Sequence, residues 1–355
     1  MPTPQELLAQ VAGTITAQTL ETWNFGESVA FEGLLGASRV LADPSWEAFS
    51  WGYFRSWAAS RTEFRELDCT FPGVAAVRIA DARRDALLAE ALTGLVDYLL
   101  ARPKIQGIYR TWRHSPLMRP YGPAELTGRE AAWVDDPPAG AFLDCLHFEP
   151  PLFAALGVLL GRDDLIRQAE EQTLAYIAAL QQPDGLFHHF VLDGVEGSFG
   201  PGWGRGQGWA LLGLLDVIEE LQAVRPPNPD LLDAAQRLIG AMVSVQRPDG
   251  HWFAQVDVPT SGDEFSTAGF MAYGFSRAAR LGIVDEREVS GAARAAHDAV
   301  VRGLGLDGVL GHVSAAVMAC TEPTHYAHVP TGFNVPWGQG PALLALVENL
   351  EYGGE

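Results

Sequence analysis

Residues 203–209, Trp-Gly-Arg-Gly-Gln-Gly-Trp, combine side chains that suit the binding of a sugar acid. Arg205 offers a planar, two-pronged donor for a carboxylate, and Trp203 and Trp209 offer flat apolar faces for sugar rings. The apolar run that follows predicts a helix start, and backbone amides at a helix N-terminus also favour an anion. A glycine-rich turn with two aromatic packing anchors is the structural alternative, although an arginine between glycines is a poor core residue.

Two aspartates among apolar residues are the candidates for acid–base chemistry. Asp144 lies in the segment 142–151, and Asp68 lies shortly before Pro72-Gly73, so both are close to predicted helix starts. Helix capping alone would explain either residue, because an aspartate at a helix N-terminus is common. Two carboxylates brought together in a dry pocket would have well-separated pKa values, and one would keep its proton near neutral pH as a general acid.

Two adjacent histidines are candidates for contact with a substrate. His188 and His189 follow the turn at Asp184-Gly185, and we expect them on the same rim as the second Pro-Asp-Gly turn, at 248–250. One of the two imidazoles could face a substrate, and the alternative is a packed or solvated side chain.

The longest stretch without helical periodicity, about 103–146, is rich in Pro, Gly and Trp and is typical of a functional loop. Within it, Trp112 and Arg113 are followed by a histidine and could form an aromatic and cationic wall. The alternative is that Trp112 only anchors the loop to the surface.

Several other kinds of site are not supported. The segment 325–328, His-Tyr-Ala-His, lacks the helical i, i+4 spacing and the nearby acidic ligand of a zinc site. The three cysteines form no C-x-x-C pair and are interpreted as small buried residues. The segment 36–39 lacks the second glycine of a nucleophile elbow. The residues therefore predict neither a metal centre nor a serine hydrolase.

Apolar residues recur at helical spacing along almost the whole chain, whereas strand-like alternation is scarce, so the sequence predicts an all-α protein. Twelve helices are expected, near residues 4–20, 27–42, 44–60, 72–80, 83–102, 147–161, 163–182, 207–222, 228–246, 266–282, 285–303 and 337–350.

Repeated turns divide these helices into pairs. The segment 182–185, Gln-Pro-Asp-Gly, is similar to 246–250, Gln-Arg-Pro-Asp-Gly, and Gly107 and Gly308 occupy comparable places after predicted helices. Although Pro-Asp-Gly is a common turn, the repetition suits helical hairpins with their loops. Six hairpins predict an (α/α)6 barrel. Because no linker or shift in composition divides the chain, we expect residues 1–355 to form a single domain.

Charge and hydropathy limit the partners of this chain of 355 residues. It has 24 Lys and Arg against 44 Asp and Glu, and the formal charge of −20 disfavours a phosphate backbone or an anionic membrane surface. No segment approaches the roughly 20 apolar residues of a membrane-spanning helix, and the start resembles no signal peptide. We therefore expect a cytoplasmic protein that binds neither nucleic acid nor membranes.

In order along the chain, these segments resemble those of glycoside hydrolase families 88 and 105, the unsaturated glycuronyl and rhamnogalacturonyl hydrolases. Residues 143–153 are similar to the family's W-x-D-x-x-Y-M-x-x-P-F segment, and Asp68 to the aspartate of its I-D-x-x-x-x-G segment. Residues 185–189 match the family turn G-L-x-x-H, which places the family histidine on His189. Residues 203–209 match W-G-R-G-N-G-W with glutamine in place of asparagine.

The resemblance implies an (α/α)6 barrel that removes a 4,5-unsaturated galacturonyl or glucuronyl residue from the non-reducing end of lyase-made oligosaccharides, without a metal or organic cofactor. Asp144 would protonate C4 of the enol ether and help water add at C5, after which the hemiketal opens and releases the remaining sugar. Asp68 would position or tune Asp144. His189 and Arg205 would bind polar groups of the substrate, and the tryptophans would stack on its rings.

The chain departs from the family pattern close to the predicted catalytic aspartate. His147 and Phe148 stand where tyrosine and methionine are usual, and Phe142 replaces the preceding tryptophan. We expect His147 and Arg113 to belong to the substrate-binding wall. The identity of the uronic acid, the sugar that follows it and the oligomeric state stay open.

Other functions would preserve much of the same series. A saturated glucuronide hydrolase or a sugar epimerase could use this barrel, and an epimerase would need two histidines for proton transfer. Residues 246–252 are also similar to the Gln-Trp repeats of isoprenoid cyclases, but the chain lacks their DxDD or DDxxD cluster. A carbohydrate-binding protein with a degenerate site would bind saccharides without turnover.

Overall fold

The computed structural model describes residues 2–21, 25–65, 71–317 and 321–353, which contain thirteen α-helices and three two-stranded sheets. Six helices form an inner ring: α2 (Glu27–Val40), α4 (Gly73–Arg83), α7 (Cys145–Leu160), α9 (Gly204–Gln222), α11 (Phe265–Arg280) and α13 (Pro336–Tyr352). Six lie outside them: α1 (Pro4–Thr16), α3 (Ser45–Ser60), α5 (Ala86–Leu100), α8 (Asp163–Leu180), α10 (Pro229–Ser244) and α12 (Glu286–Gly303). The thirteenth helix is α6 (Gly128–Asp135).

The inner helices close into a ring. Each packs against the next inner helix along the chain, and α13 packs back against α2, while the outer helices cover the ring from outside. All twelve predicted helices are present, with ends within four residues of the expected positions. The prediction of an all-α, six-hairpin (α/α)6 barrel is confirmed.

The burial of the two sets of helices follows from their sequences. The inner helix α9 is buried at every position from 204 to 218, and its central residues 209–215 are apolar on all faces. The outer helix α12 buries only one narrow stripe of small apolar residues and presents acidic and basic side chains to solvent. Burial of apolar surface therefore selects which helices form the ring and which form its cover.

The inner helices run in the same direction, so their N-termini meet at one end of the ring. At that end, the start of α11 is joined to the start of α13 through Ser314, whose amide donates to Glu264 and whose carbonyl accepts from Trp337. At the opposite end, ion pairs join the last turns of neighbouring helices, such as Arg39 to Glu351 and Arg280 to Glu348. The loops at the N-terminal end are the longer ones and carry the residues considered below.

The turns that follow the outer helices confirm the predicted repeat. Gly107, Gly185, Gly250 and Gly308 follow α5, α8, α10 and α12, and their φ angles lie between +77° and +92°. Residues other than glycine rarely adopt this left-handed conformation. The glycines therefore return the chain from the outer layer to the inner ring.

The segment 103–146 contains more structure than the sequence analysis predicted. Its strands β1 (Lys104–Ile105) and β2 (Ile108–Tyr109) form a hairpin, α6 follows, and β3 (Gly140–Phe142) pairs antiparallel with β4 (Phe190–Leu192). The third sheet joins β5 (Trp252–Phe253) to β6 (Asp263–Glu264). The helix α6 was missed because it has only eight residues, although Thr127 and Glu130 form a capping box that marks its start. Among the described helices, none is both long and apolar enough to cross a membrane.

Substitution of a turn glycine should destabilise the fold. At Gly250, where φ is +90°, an added Cβ would lie 2.0 Å from the carbonyl oxygen of Ala295 on α12. We expect Gly250→Ala to lower the free energy of unfolding by about 2 kcal/mol or more, measured by urea denaturation. Gly291→Ala is the matched control, because that glycine is helical and no atom lies within 4 Å of the added Cβ. The control should stabilise the protein by about 0.5–1 kcal/mol, and an equal effect of the two substitutions would contradict this view of the turns.

Candidate active site

Asp144 lies at the N-terminal end of α7 but does not cap the helix. It occupies the N-cap position with helical backbone angles, φ −50° and ψ −38°, and its side chain makes no capping hydrogen bond. The side chain is 15% exposed, whereas every residue from 145 to 157 is buried. The interpretation of Asp144 as a helix cap is therefore wrong, and its carboxylate is a partly exposed group at an otherwise buried helix start.

His189 contacts this carboxylate directly. Its Nε2 atom is 3.3 Å from Oδ2 of Asp144. The backbone of His189 is fixed on both sides, since its carbonyl accepts from the amide of Leu143 at 2.8 Å and its amide donates to the carbonyl of Phe199 at 2.7 Å. The pairing of β3 with β4 continues this contact, so the strands bring residues 144 and 189 together.

Trp203 supports His189 and does not present an open face to a sugar. Its ring is 4.2 Å from the imidazole of His189, centroid to centroid, and the residue is only 2% exposed. The indole is occupied by this contact, and the expectation that Trp203 stacks on a sugar ring stays a prediction. The indole fills the space behind the imidazole, which leaves His189 free to rotate only if Trp203 also moves.

Arg205 is buried below the site and is already paired. One guanidinium nitrogen donates to Glu264 at 3.2 Å and to the hydroxyl of Ser314 at 2.8 Å, and the other donates to the carbonyl of Ala315 at 3.0 Å. Burial lowers the pKa of Arg205, although the charges of Glu264 and Asp144 act in the opposite direction. In this structure its donors join α9 to the start of α11 and the loop before α13, and its predicted binding of polar groups of the substrate stays a prediction.

Trp209 and His147 also point into the ring and not into the site. Trp209 is fully buried and packs on His147 at 5.4 Å and on Phe270 at 4.8 Å, centroid to centroid. His147 follows Asp144 by three residues, and its side chain is turned away from solvent. Both side chains are buried on the inward faces of their helices, and their predicted substrate contacts stay predictions.

His147 belongs to a buried cluster that would be the place to look for a metal. Ligand atoms of Glu32, His147 and Asp216 lie within 4.8 Å of one another. However, Nε2 of His147 faces Glu32 at 3.2 Å, and Nδ1 faces Asp216 at 3.4 Å. An imidazole whose two nitrogens each face a carboxylate suits the protonated form, in which both nitrogens carry hydrogen. A metal ion would instead need an unprotonated nitrogen as its ligand.

The surrounding charges also favour a proton at this position. Asp216 is 2.7 Å from Arg277, and Arg78 adds a second positive charge that lowers the pKa of Asp216. Burial alone would lower the pKa of His147, but Glu32 and Asp216 outweigh burial and raise it to about 9. The cluster is thus a charge network between α2, α4, α7, α9 and α11.

The remaining predicted residues are placed as follows. Arg113 is exposed on the segment 103–146, next to Trp112, whose amide donates to Gly140 at the start of β3. His188 is half-buried, and its Nδ1 is 2.8 Å from the hydroxyl of Ser198, as expected for a packed histidine. Asp68 lies outside the described residues.

One residue of the site was missed by the sequence analysis. Tyr326 is fully buried, and its hydroxyl is 2.9 Å from Nδ1 of His189. The segment 325–328 had been considered only as a zinc site. Its separation from His189 by 137 residues leaves no local signal for this contact. Among the described residues, the site thus brings together a partly exposed carboxylate and a buried imidazole, a pair that can hold and transfer a proton.

The charge of His147 should appear in the pH dependence of stability. Its pKa is raised from 6.5 to about 9, so its contribution is complete below pH 6.5 and is lost as the pH rises through 9. Over this interval we expect the free energy of unfolding to fall by at most about 1.4 kcal/mol per pH unit. Urea denaturation between pH 6 and about 10 should show this slope in the wild type and a smaller slope in His147→Gln. Substitution of the exposed His114 by glutamine should leave the slope unchanged, and an unchanged slope in His147→Gln would refute the assignment.

Comparison with known proteins agrees with this architecture. The chain is 26% identical over 216 residues to an unsaturated rhamnogalacturonyl hydrolase of Bacillus subtilis, and the match spans 60% of this chain and 61% of that protein. A structure described as a possible member of the GH105 family from Salmonella enterica superposes with a TM-score of 0.80 at 19% identity, covering 100% of this chain and 96% of that chain. The unsaturated glucuronyl hydrolase of Bacillus sp. GL1 gives a TM-score of 0.71 at 18% identity, with coverages of 99% and 97%. The sequence pattern of Glycosyl Hydrolase Family 88 matches residues 6–352, and the chain therefore belongs to this family.

Proposed function

We propose that the protein removes a 4,5-unsaturated uronic acid from the non-reducing end of oligosaccharides, by hydration of the enol ether. The observation that supports this most strongly is the pairing of Asp144 with His189, a carboxylate and an imidazole 3.3 Å apart at the mouth of a family 88 barrel. Protonation of a carbon–carbon double bond requires a positioned acid, and Asp144 is a partly exposed carboxyl group at this end of the ring.

In the proposed reaction, Asp144 carries both proton transfers. Its carboxylic acid donates a proton to C4, which leaves an oxocarbenium ion at C5. The resulting carboxylate then accepts a proton from the water that adds to C5. The C5 hemiketal opens, and its breakdown releases the remaining saccharide. This differs from ordinary glycoside hydrolysis, in which an acid protonates the glycosidic oxygen and attack occurs at the anomeric carbon.

The neighbouring residues have supporting roles in this proposal. His189 donates a hydrogen bond to the ionised form of Asp144 and so stabilises it after the first proton transfer. Asp68 stays a proposed partner of Asp144 on the family resemblance alone. Arg113 is an exposed cation on the segment leading to β3, and we propose that it supplies local attraction for the uronate, which the overall charge of −20 would otherwise repel.

An unsaturated galacturonyl residue linked to rhamnose is the first substrate to test. The support for this choice is the similarity to an unsaturated rhamnogalacturonyl hydrolase, although the match spans only 61% of that relative. Two structures of unsaturated glucuronyl hydrolases share the fold at 18% and 13% identity, which supports the architecture and not the substrate.

The geometry gives less support to a sugar epimerase. Such an enzyme would need two histidines on opposite sides of one carbon, but the imidazole of His188 is held by Ser198 at 2.8 Å. Among the described residues, the ring of His189 has Asp144 near one nitrogen and the phenol of Tyr326 within hydrogen-bonding distance of the other. Neither side chain supplies a second imidazole to the site.

The proposal is tested with unsaturated oligosaccharides prepared by pectin, rhamnogalacturonan and glycosaminoglycan lyases. Turnover should remove the ultraviolet absorbance of the conjugated double bond. Asp144→Asn should lower kcat by about 10²–10⁴-fold, because the amide cannot supply a proton, while circular dichroism and unfolding stay close to the wild type.

Asp193→Asn is the matched control, because Asp193 is an exposed aspartate directly after β4. It should leave kcat unchanged. Wild-type turnover by Asp144→Asn would remove this residue from the reaction. If calorimetry shows saccharide binding but the absorbance does not fall, the result would favour a non-catalytic binding protein. Release of saturated glucuronic acid would favour a saturated glucuronide hydrolase.

A further inference from the structure

Tyr326 completes a line of three side chains that ends at the proposed acid. It is the last residue of a short 3-10 helix, Pro323–Tyr326, and is fully buried. Its hydroxyl lies 2.9 Å from Nδ1 of His189, and the opposite ring nitrogen lies 3.3 Å from Asp144. The imidazole is therefore enclosed between a phenol and a carboxylate.

This arrangement determines which nitrogen of His189 carries the proton when Asp144 is ionised. An ionised carboxylate attracts an N–H and repels a nitrogen lone pair, so the contact of 3.3 Å between Nε2 and Asp144 favours hydrogen on Nε2. In a neutral imidazole, Nδ1 is then the acceptor, and the hydroxyl of Tyr326 is the donor that satisfies it. Without that hydroxyl, the two tautomers of His189 would differ less in free energy.

The backbone next to His189 is shaped to admit the phenol. Gly200 has a φ of +73°, and a Cβ at this position would lie 2.1 Å from the hydroxyl oxygen of Tyr326 and 2.6 Å from Cβ of His189. A larger residue would separate the two side chains or displace both. The absence of a side chain at position 200 is thus required for the contact between Tyr326 and His189.

The helix α6 holds the segment that carries Tyr326. Glu130 of α6 is only 6% exposed, and it accepts a hydrogen bond from the hydroxyl of Thr321. Its carboxylate is also 3.9 Å from Nδ1 of His325. Burial opposes ionisation, but hydrogen bonds from the hydroxyl of Thr321 and the backbone N–H of Thr127 keep the pKa of Glu130 below its usual value. A charged, buried carboxylate therefore joins α6 to the 3-10 helix.

The same helix braces the other side of His189. Trp133 of α6 packs edge-on against Phe199, with ring centroids 5.8 Å apart. The carbonyl of Phe199 accepts the backbone N–H of His189 at 2.7 Å. The short helix thus contacts the segment that fixes the backbone of His189 and also the segment that fixes its ring.

We propose that Tyr326 is a positioning residue that holds His189 in the tautomer with hydrogen on Nε2, facing Asp144, and that α6 keeps Tyr326 in place through Glu130. Tyr326 acts only through His189 in this proposal and is not required to touch substrate. The expected effect on turnover rests on the proposed hydrolase function, whereas the tautomer of His189 does not.

The direct test is the ring ¹⁵N NMR spectrum of the full chain labelled in its histidines, recorded at pH 8 on the unliganded protein. The signals of His189 are identified by their absence in His189→Gln. In the wild type we expect the pattern of the tautomer protonated at Nε2. Tyr326→Phe keeps the ring but removes the donor, and His189 should then show averaged shifts of two mixed tautomers.

Activity provides the second readout. Tyr326→Phe should lower kcat by roughly 10–100-fold with KM within about twofold, as found for residues that orient a ligating or catalytic histidine. Glu130→Gln should shift the tautomer in the same direction with a smaller loss of kcat. Tyr109→Phe and Glu125→Gln are the matched controls, because Tyr109 bonds Gln168 elsewhere and Glu125 is exposed on the same segment as α6.

A purely structural role for Tyr326 would lower thermal stability and leave the tautomer of His189 unchanged, and that result overturns the proposal. A wild-type spectrum protonated at Nδ1, or already mixed, overturns it without any variant. If the tautomer shifts as expected but no unsaturated saccharide is turned over by the wild type, the positioning role stands and the proposed function fails.

Discussion

The contact between the carboxylate of Asp144 and the imidazole of His189 depends on the common direction of the six inner helices. Because these helices begin at the same end of the ring, the first residues of α7, α9 and α11 and their preceding loops meet there. The strands β3 and β4 then align residues 143 and 189 through a backbone hydrogen bond of 2.8 Å. A catalytic proton donor needs this kind of fixed but partly solvated position, since a fully buried carboxylate could not reach a substrate.

The other charged residues of the ring are used to hold this arrangement. Arg205 and Glu264 join the starts of α9 and α11, and both side chains are fully buried. Deeper in the ring, His147 lies between Glu32 and Asp216, so the helix that begins at Asp144 is fixed to its neighbours three residues later. Removal of one partner from such a cluster would leave an uncompensated buried charge, which is strongly destabilising. The contacts of each side chain therefore divide the residues that look reactive in the sequence into those beside Asp144 and those that join the helices of the ring.

The sequence predicted the fold well because helical periodicity and turn glycines are local signals. The six inner and six outer helices, and the left-handed turns at Gly107, Gly185, Gly250 and Gly308, follow from such signals. The ordered motifs also singled out Asp144 and His189 as separate candidates, but they did not predict the contact between the two side chains. The direction in which an individual side chain points could not be predicted from the sequence. The spacing of residues 203–209 does not show that Arg205 and Trp209 turn inward. Tyr326 could not be found from local pattern, because its partner lies 137 residues away.

The central claim, that Asp144 delivers a proton to a carbon atom, is tested most directly by the isotope content of the product. An unsaturated disaccharide is turned over in D₂O, and the product is examined by NMR early in the reaction, before slow exchange next to the new carbonyl group. The account predicts one deuterium at C4, delivered to a single face of the ring. A released sugar without deuterium at C4, with the solvent oxygen at the anomeric carbon, would contradict it and indicate ordinary glycosidic cleavage.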